Sequence, residues 1–237
     1  MTILRQVVLL TPDLAGTVAR LRELLHLGAG TKDEQGMAAL GFEHEVLRVD
    51  NTYLEVVAPL TADSSAGRLA ARTGGCGYMV VLQVDDLAAL TERGAESGLR
   101  PVFEMIHRGN PVSQWHPAAL GTLAEIDQIA GTGWHYPELD DSPGTAVARD
   151  IEGVAIAVAD PPACAGRWAG LLGAAEPAGG RVLTLGERTV SFRHPLDGRS
   201  GLIEIRFTAT NPAAAPVRER IAGVDILVGG PAETRSA

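Results

Sequence analysis

Three glutamates stand alone inside otherwise apolar, strand-like runs: Glu55 in YLEVV, Glu125 in LAEID and Glu204 in LIEIR. Each follows, by 46 to 51 residues, the first letter of an aliphatic run that reaches an aspartate seven positions on. Those runs are QVVLLTPDL from Gln6, MVVLQVDDL from Met79 and GVAIAVADP from Gly153, about 73 residues apart. A carboxylate between apolar strand residues is expensive to bury unpaired, so it requires a metal ion, an arginine or water. Asp127 shares a strand face with Glu125 by simple alternation. Gln6, an amide on a buried strand, either lines a pocket or satisfies a neighbour. Other chemical constellations are missing: no Gly-rich phosphate loop, no Cys-x-x-Cys, no Gly-x-Ser-x-Gly and no helical histidine pair occurs.

The repeat requires duplicated supersecondary modules, since its period is too long for a solenoid and too short for a domain. The first module opens with a strand over Ile3 to Thr11. A helix follows from Ala15 to Leu27, with a stripe of Val18, Leu21, Leu24 and Leu25 and a stop at Gly28. A polar stretch over 31–40 then leads to a hairpin, FEHEVLRV and TYLEVVA, turning at Asp50 and Asn51. A two-residue turn sets Val46 opposite Glu55, His44 opposite Val57 and Arg48 opposite Tyr53. His44, Arg48, Tyr53 and Glu55 then share one face, a pocket wall or a solvent face, with Leu47, Leu54 and Val56 on the other. The second module repeats the plan, with a strand from Tyr78, a helix from Asp86 to Ser97, and strands near 101–106, around Gln114 and over 122–129. Residues 131–149, rich in Gly, Pro and acidic side chains, read as a linker. A third module covers 150–230, with Trp168 grouped with Leu171 and Leu172 as core.

The fold class is therefore α+β, built from three βαβββ modules. Residues 1–60 and 76–130 pair into one cupped mixed sheet, either within one chain or across two. The odd third module must pack on that pair or bury its face against a second chain, as in a homodimer. The formal charge of −9 and a single lysine, Lys32, argue against nucleic acid. No apolar run reaches the roughly 20 residues of a membrane span. The start reads as a strand rather than a signal peptide. Cys76 and Cys164, without metal-ligand spacing, fit a reducing, cytoplasmic setting.

The strand-PDL-helix opening, the YLEVVAP strand and the GYMVVLQVDDLAAL restart resemble the vicinal oxygen chelate superfamily, and most closely its glyoxalase-like proteins. The segment WHPAALGTLAEIDQ resembles the epimerase-like members. The resemblance implies a divalent metal ion in the cup, held at Gln6, Glu55, the position of Met79, and Glu125. Met79 is a soft thioether where a histidine is expected, and His116 could replace it. The implied activity is a metal-dependent isomerase or lyase acting on a small oxygenated substrate through an enolate-type intermediate, with Glu55 or Glu125 moving the proton. His44, Arg48, Tyr53, Met79 and Trp115 would line the substrate pocket. An oxygenase would need two of His44, His107, His116, His135 and His194, none of which opens a strand. The rival reading is a sequestering protein that binds a small molecule without catalysis or metal. Neither reading involves nucleic acid or a membrane.

Overall fold

The computed structural model describes residues 1–130, 133–136, 139 and 146–230. The first module runs β1 (Thr2–Leu10), α1 (Leu14–Leu25), α2 (Glu34–Ala39), β2 (Phe42–Val49) and β3 (Thr52–Pro59). Its expected third strand is reduced to one bridge, Thr31 to Val46, and α2 takes the rest of that polar stretch, started by Asp33. The hairpin has the expected register: Val46 opposes Glu55, His44 opposes Val57 and Arg48 opposes Tyr53. Helix α1 stops at His26, in the left-handed conformation, two residues before Gly28. A connecting helix, α3 (Ser65–Thr73), leads to the second module: β4 (Cys76–Val84), α4 (Leu87–Glu96), β5 (Pro101–His107), β6 (Asn110–Trp115), α5 (Pro117–Leu120) and β7 (Leu123–Gln128).

These strands form one seven-stranded sheet in the order β2-β3-β1-β4-β7-β6-β5. The two modules thus pair within one chain, across the antiparallel β1–β4 seam. The register generates two neighbouring rows on one face. One row reads Val46, Glu55, Val8, Met79, Leu123, and the next reads Tyr53, Gln6, Val81, Glu125, Gln114. Residues of alternate parity (Val7, Leu9, Leu54, Val80, Ile126) point the other way, into the main core beneath the helices. Alternation of side-chain direction along each strand therefore places Gln6, Glu55, Met79 and Glu125 together on the cupped side.

The remainder contains more than one further module. β8 (Ala148–Ala157), α6 (Pro161–Leu172), β9 (Val182–Leu185) and β10 (Arg188–Arg193) make a third unit. β11 (Gly201–Ala209), β12 (Val217–Ile221) and β13 (Val224–Val228) make a fourth without a helix. Their sheet, β12-β13-β11-β8-β10-β9, repeats the first sheet's logic: β8 is parallel to β10, antiparallel to β11, and β11 is parallel to β13. This corrects the reading of Glu204. It lies on an opening strand, at the place Met79 holds in the first sheet, whereas Ser191 and Leu227 hold the places of Glu55 and Glu125. Glu204 is taken up by Arg193, at 3.1 and 3.2 Å, and by Arg206 at 3.0 Å.

The two sheets share one continuous apolar core, so the second half packs on the first. Trp168, fully buried and donating to the Leu120 carbonyl at 2.8 Å, sits in that core as expected. The recurring aspartates are helix caps: Asp13, Asp86 and Asp160 accept from the backbone N–H groups of Gly16, Ala89 and Ala163. Among the described residues no helix is long and apolar enough to cross a membrane.

Candidate functional site

The cupped face of the first sheet encloses a cavity of about 340 Å³, at the small end of the range for ligand pockets. Its floor is the row set above: Gln6, Val8, Glu55, Met79, Leu123 and Glu125. Met37, Leu40 and Phe42 from α2 and its connection to β2 form one lip, and Phe103, Met105 and His107 of β5 form the opposite one. The cover is residues 133–136, part of the stretch that composition assigned to a linker. Trp134, His135 and Tyr136 line the cavity. Three guanidiniums hold this cover through its backbone: Arg5 donates to the Gly133 carbonyl, Arg108 to that of His135 and Arg48 to that of Leu139. Tyr53 lies behind it, with ring centroids 6.2 Å from Trp134 and 5.8 Å from Tyr136. The signal available in the sequence was a Trp-His-Tyr run in a chain with only 4% aromatic residues.

One wall is a closed relay. The Asp33 backbone N–H donates to His44 Nε2 at 2.7 Å. That nitrogen carries no proton, so His44 is neutral and donates from Nδ1 to Glu55 Oε1 at 2.5 Å. Gln6 Nε2 donates to the other oxygen, Glu55 Oε2, at 2.7 Å, and the Trp134 indole N–H donates to Gln6 Oε1 at 3.3 Å. Glu55 is 6% exposed, and two N–H donors satisfy it as a carboxylate.

The facing wall is different. Glu125 accepts from Gln114 Nε2 at 2.7 Å, and Asp127 Oδ2 lies 2.7 Å from His135 Nε2. Burial above all, then the Asp127 charge, pushes the Glu125 carboxyl far above the ordinary carboxylate range; the Gln114 bond opposes this, and the Glu55 charge adds to it. Burial likewise pushes Asp127 up. With both carboxyl groups pushed up, this wall holds protons at neutral pH. Burial and then Arg108 push His135 down to about 4, leaving it neutral. Burial lowers His107 also, its ring 4.7 Å from that of His135. Asp127 Oδ1 and His135 Nδ1 are buried without a partner among the described residues, which leaves two hydrogen-bonding positions for a bound molecule.

The structure brings together Gln6, Glu55, Met79 and Glu125, with His44 directly behind Glu55. Arg48 and Tyr53 support the cover rather than line the cavity. Trp115 and His116 lie elsewhere. Trp115 is 1% exposed in the core against α4, where a Cβ at Gly94 would stand 2.7 Å from its ring. Alternation explains this: Trp115 is one residue after Gln114 and points to the opposite face. His116 is exposed, and its Nδ1 accepts the Ala118 N–H to cap α5.

The residues at the four expected ligand positions do not fit a divalent metal ion. Both Gln6 amide atoms and both Glu55 oxygens are hydrogen-bonded, to one another and to Trp134 and His44, so each Glu55 oxygen keeps one lone pair, enough to take a proton, while Gln6 is turned to its neighbours. Met79 offers only a soft sulfur, and Glu125 is held toward its protonated form. Among the described residues no three His, Cys, Asp or Glu side chains converge as metal ligands.

Among curated proteins none matches the chain. Solved structures similar to it include methylmalonyl-CoA epimerase from Mycobacterium tuberculosis, at 21% identity over 54% of this chain and 88% of that one, with a TM-score of 0.47. Streptomyces coelicolor methylmalonyl-CoA epimerase shows 19% identity over 55% of this chain and 96% of that one, with a TM-score of 0.49. A hypothetical protein from Bacillus halodurans C-125 shows 16% identity over 56% of this chain and 99% of that one, also at 0.49. The family described as "Glyoxalase-like domain" matches residues 7–172. The chain belongs to this glyoxalase-like domain family.

Proposed function

We propose that this protein is a proton-transfer isomerase that enolises a small carbonyl compound using two unlike carboxyl groups, without a resident metal. The observation that supports the reading is the contrast between facing walls of one cavity. Glu55 is a carboxylate with two N–H donors, and Glu125 with Asp127 retains protons. Carboxyl groups whose surroundings drive their protonation apart are the pattern of an acid and a base sharing one site.

In this reading Glu55 removes the proton on the carbon next to the substrate carbonyl. Glu125 accepts Gln114 on Oε2, so Oε1 carries its proton. That proton is donated to the carbonyl oxygen as negative charge develops there, so the enol forms with no ion to stabilise it. Reprotonation of the carbon on its opposite face, with the enol proton returning to Glu125, gives the epimer, and reprotonation on the original face regenerates the substrate. Trp134 and Tyr136 keep water from the intermediate. The strands carrying Glu55 and Glu125 are three steps of about 4.8 Å apart, so the two groups can embrace a molecule rather than bond each other.

Deuterium incorporation into neutral enolisable ketones, followed by NMR in D₂O, tests this. The native protein is expected to exchange the α-proton of at least one of them. Glu55→Gln and Glu125→Gln should each slow exchange by about 10²-fold or more, with the melting temperature retained. Exchange that survives both substitutions, or a cavity that binds ketones without exchange, would leave the sequestration reading in its place.

A further inference from the structure

The cavity also selects by charge, and we infer that its substrate is an uncharged molecule with an apolar body and a single polar end, not a carboxylate, phosphate or coenzyme A ester. This deepens the proton-transfer reading and rests on the same cavity. Among the described residues lining it there is no lysine and no arginine. The two nearest guanidiniums stand outside the aromatic cover. Arg5 lies 5.7 Å from the Trp134 ring centroid and is engaged by Gln83 and by the Asn51 and Gly133 carbonyls. Arg108 lies 5.4 Å from the Tyr136 centroid and is engaged by the His135 carbonyl.

An anion entering this space would meet the Glu55 carboxylate and a second carboxyl pair, and no cation. Removing a charged group from water without a partner costs several kcal/mol. A cation is not required either, because both Glu55 oxygens already accept from neutral donors, His44 and Gln6. The lips and cover instead offer Met37, Phe42, Phe103 and Trp134 to an apolar body. The polar end is defined at one place, where Glu125 and the unpartnered Asp127 Oδ1 and His135 Nδ1 can exchange hydrogen bonds with a carbonyl or hydroxyl.

Isothermal titration calorimetry of the full chain with α-tetralone, and with the same ring bearing a carboxylate or an aminomethyl group, tests the inference. Binding of the neutral ketone is expected, with the carboxylate about 100-fold weaker or undetectable. The aminomethyl compound should also bind more weakly than the ketone. Phe103→Arg, at an exposed lip position, should raise the carboxylate affinity about tenfold relative to that of the ketone. Equal or tighter binding of the carboxylate, tighter binding of the ammonium compound, or no binding of the ketone would each overturn it. Ketone binding with this selectivity but no α-proton exchange would overturn the proton-transfer reading and leave this inference standing.

Discussion

The protonated wall has a measurable consequence for stability. In the unfolded chain Glu125 and Asp127 ionise near 4, but in the folded protein burial holds both up to about 8, the Asp127 charge adding to the push on Glu125. Between those limits the native state binds more protons than the unfolded state, so stability is fully present at low pH and is lost as pH rises toward about 8. Each extra proton gives a slope of about −1.4 kcal/mol per pH unit. Other groups limit the useful window. His135 and His107 have lowered folded values, so they make stability rise with pH, but only up to the ordinary histidine range near 6.5. Burial raises Cys76 and Cys164 from 9.0, so they act only at higher pH. From pH 7 to 8 the carboxyl pair therefore dominates. If one proton is retained, stability should fall by about 1 kcal/mol, since half of that proton is lost by pH 8, or roughly 2 to 4 °C in melting temperature for a chain of this size. Asp127→Asn keeps the shape and a partner for His135 while removing one carboxyl and its push on Glu125. It should flatten the slope. Thermal unfolding by circular dichroism at pH 7, 7.5 and 8 measures both. A native protein whose melting temperature stays level or rises over that window would refute the protonated wall.

Three further outcomes follow from the packing. Trp115→Ala should cost about 3 to 5 kcal/mol, read from urea unfolding, while Trp115→Phe leaves ketone binding unchanged, because Trp115 is core. Asp160→Ala should lower stability by about 1 kcal/mol through loss of the α6 cap, with no effect on α-proton exchange. In the second sheet, burial raises the Asp225 carboxyl, but hydrogen bonds from Arg220, Arg218 and Arg199 outweigh it and hold it at about 2. Asp225→Asn should therefore destabilise the protein above pH 4, with the deficit fading as pH falls through about 2.

Much of the first sheet was legible because its determinants are local. The two-residue turn at Asp50 and Asn51 fixes the register of β2 and β3, and alternation then places His44 and Glu55 on one face. The repeat located β1, β4 and β8, and its aspartates proved to be caps. The failures have physical reasons. Counting by the repeated glutamate assigned Glu204 to a closing strand, whereas the closing strand is β10, with Ser191 at that position. The fourth module escaped because it lacks a helix and because β12, VRERI, is mostly exposed, with little apolar periodicity. Residues 133–136 escaped because Gly and Pro around them suggested a spacer. Their role depends on Arg5, Arg48 and Arg108, whose bonds to this stretch span 27 to 128 residues and are invisible to local pattern. Met79 and Gly153 were the sequence features that departed from the expected ligand pattern.

The central claim is that proton transfer here relies on carboxyl groups rather than on a bound ion. The most direct measurement is the rate of α-proton exchange from a neutral ketone, taken on the protein as isolated, after dialysis against a chelator, and after adding back magnesium, manganese, cobalt, nickel or zinc. The expected result is the same rate in every sample, abolished by Glu55→Gln. A rate that disappears on chelation and returns with one of these ions would contradict the account and restore the metal-dependent reading.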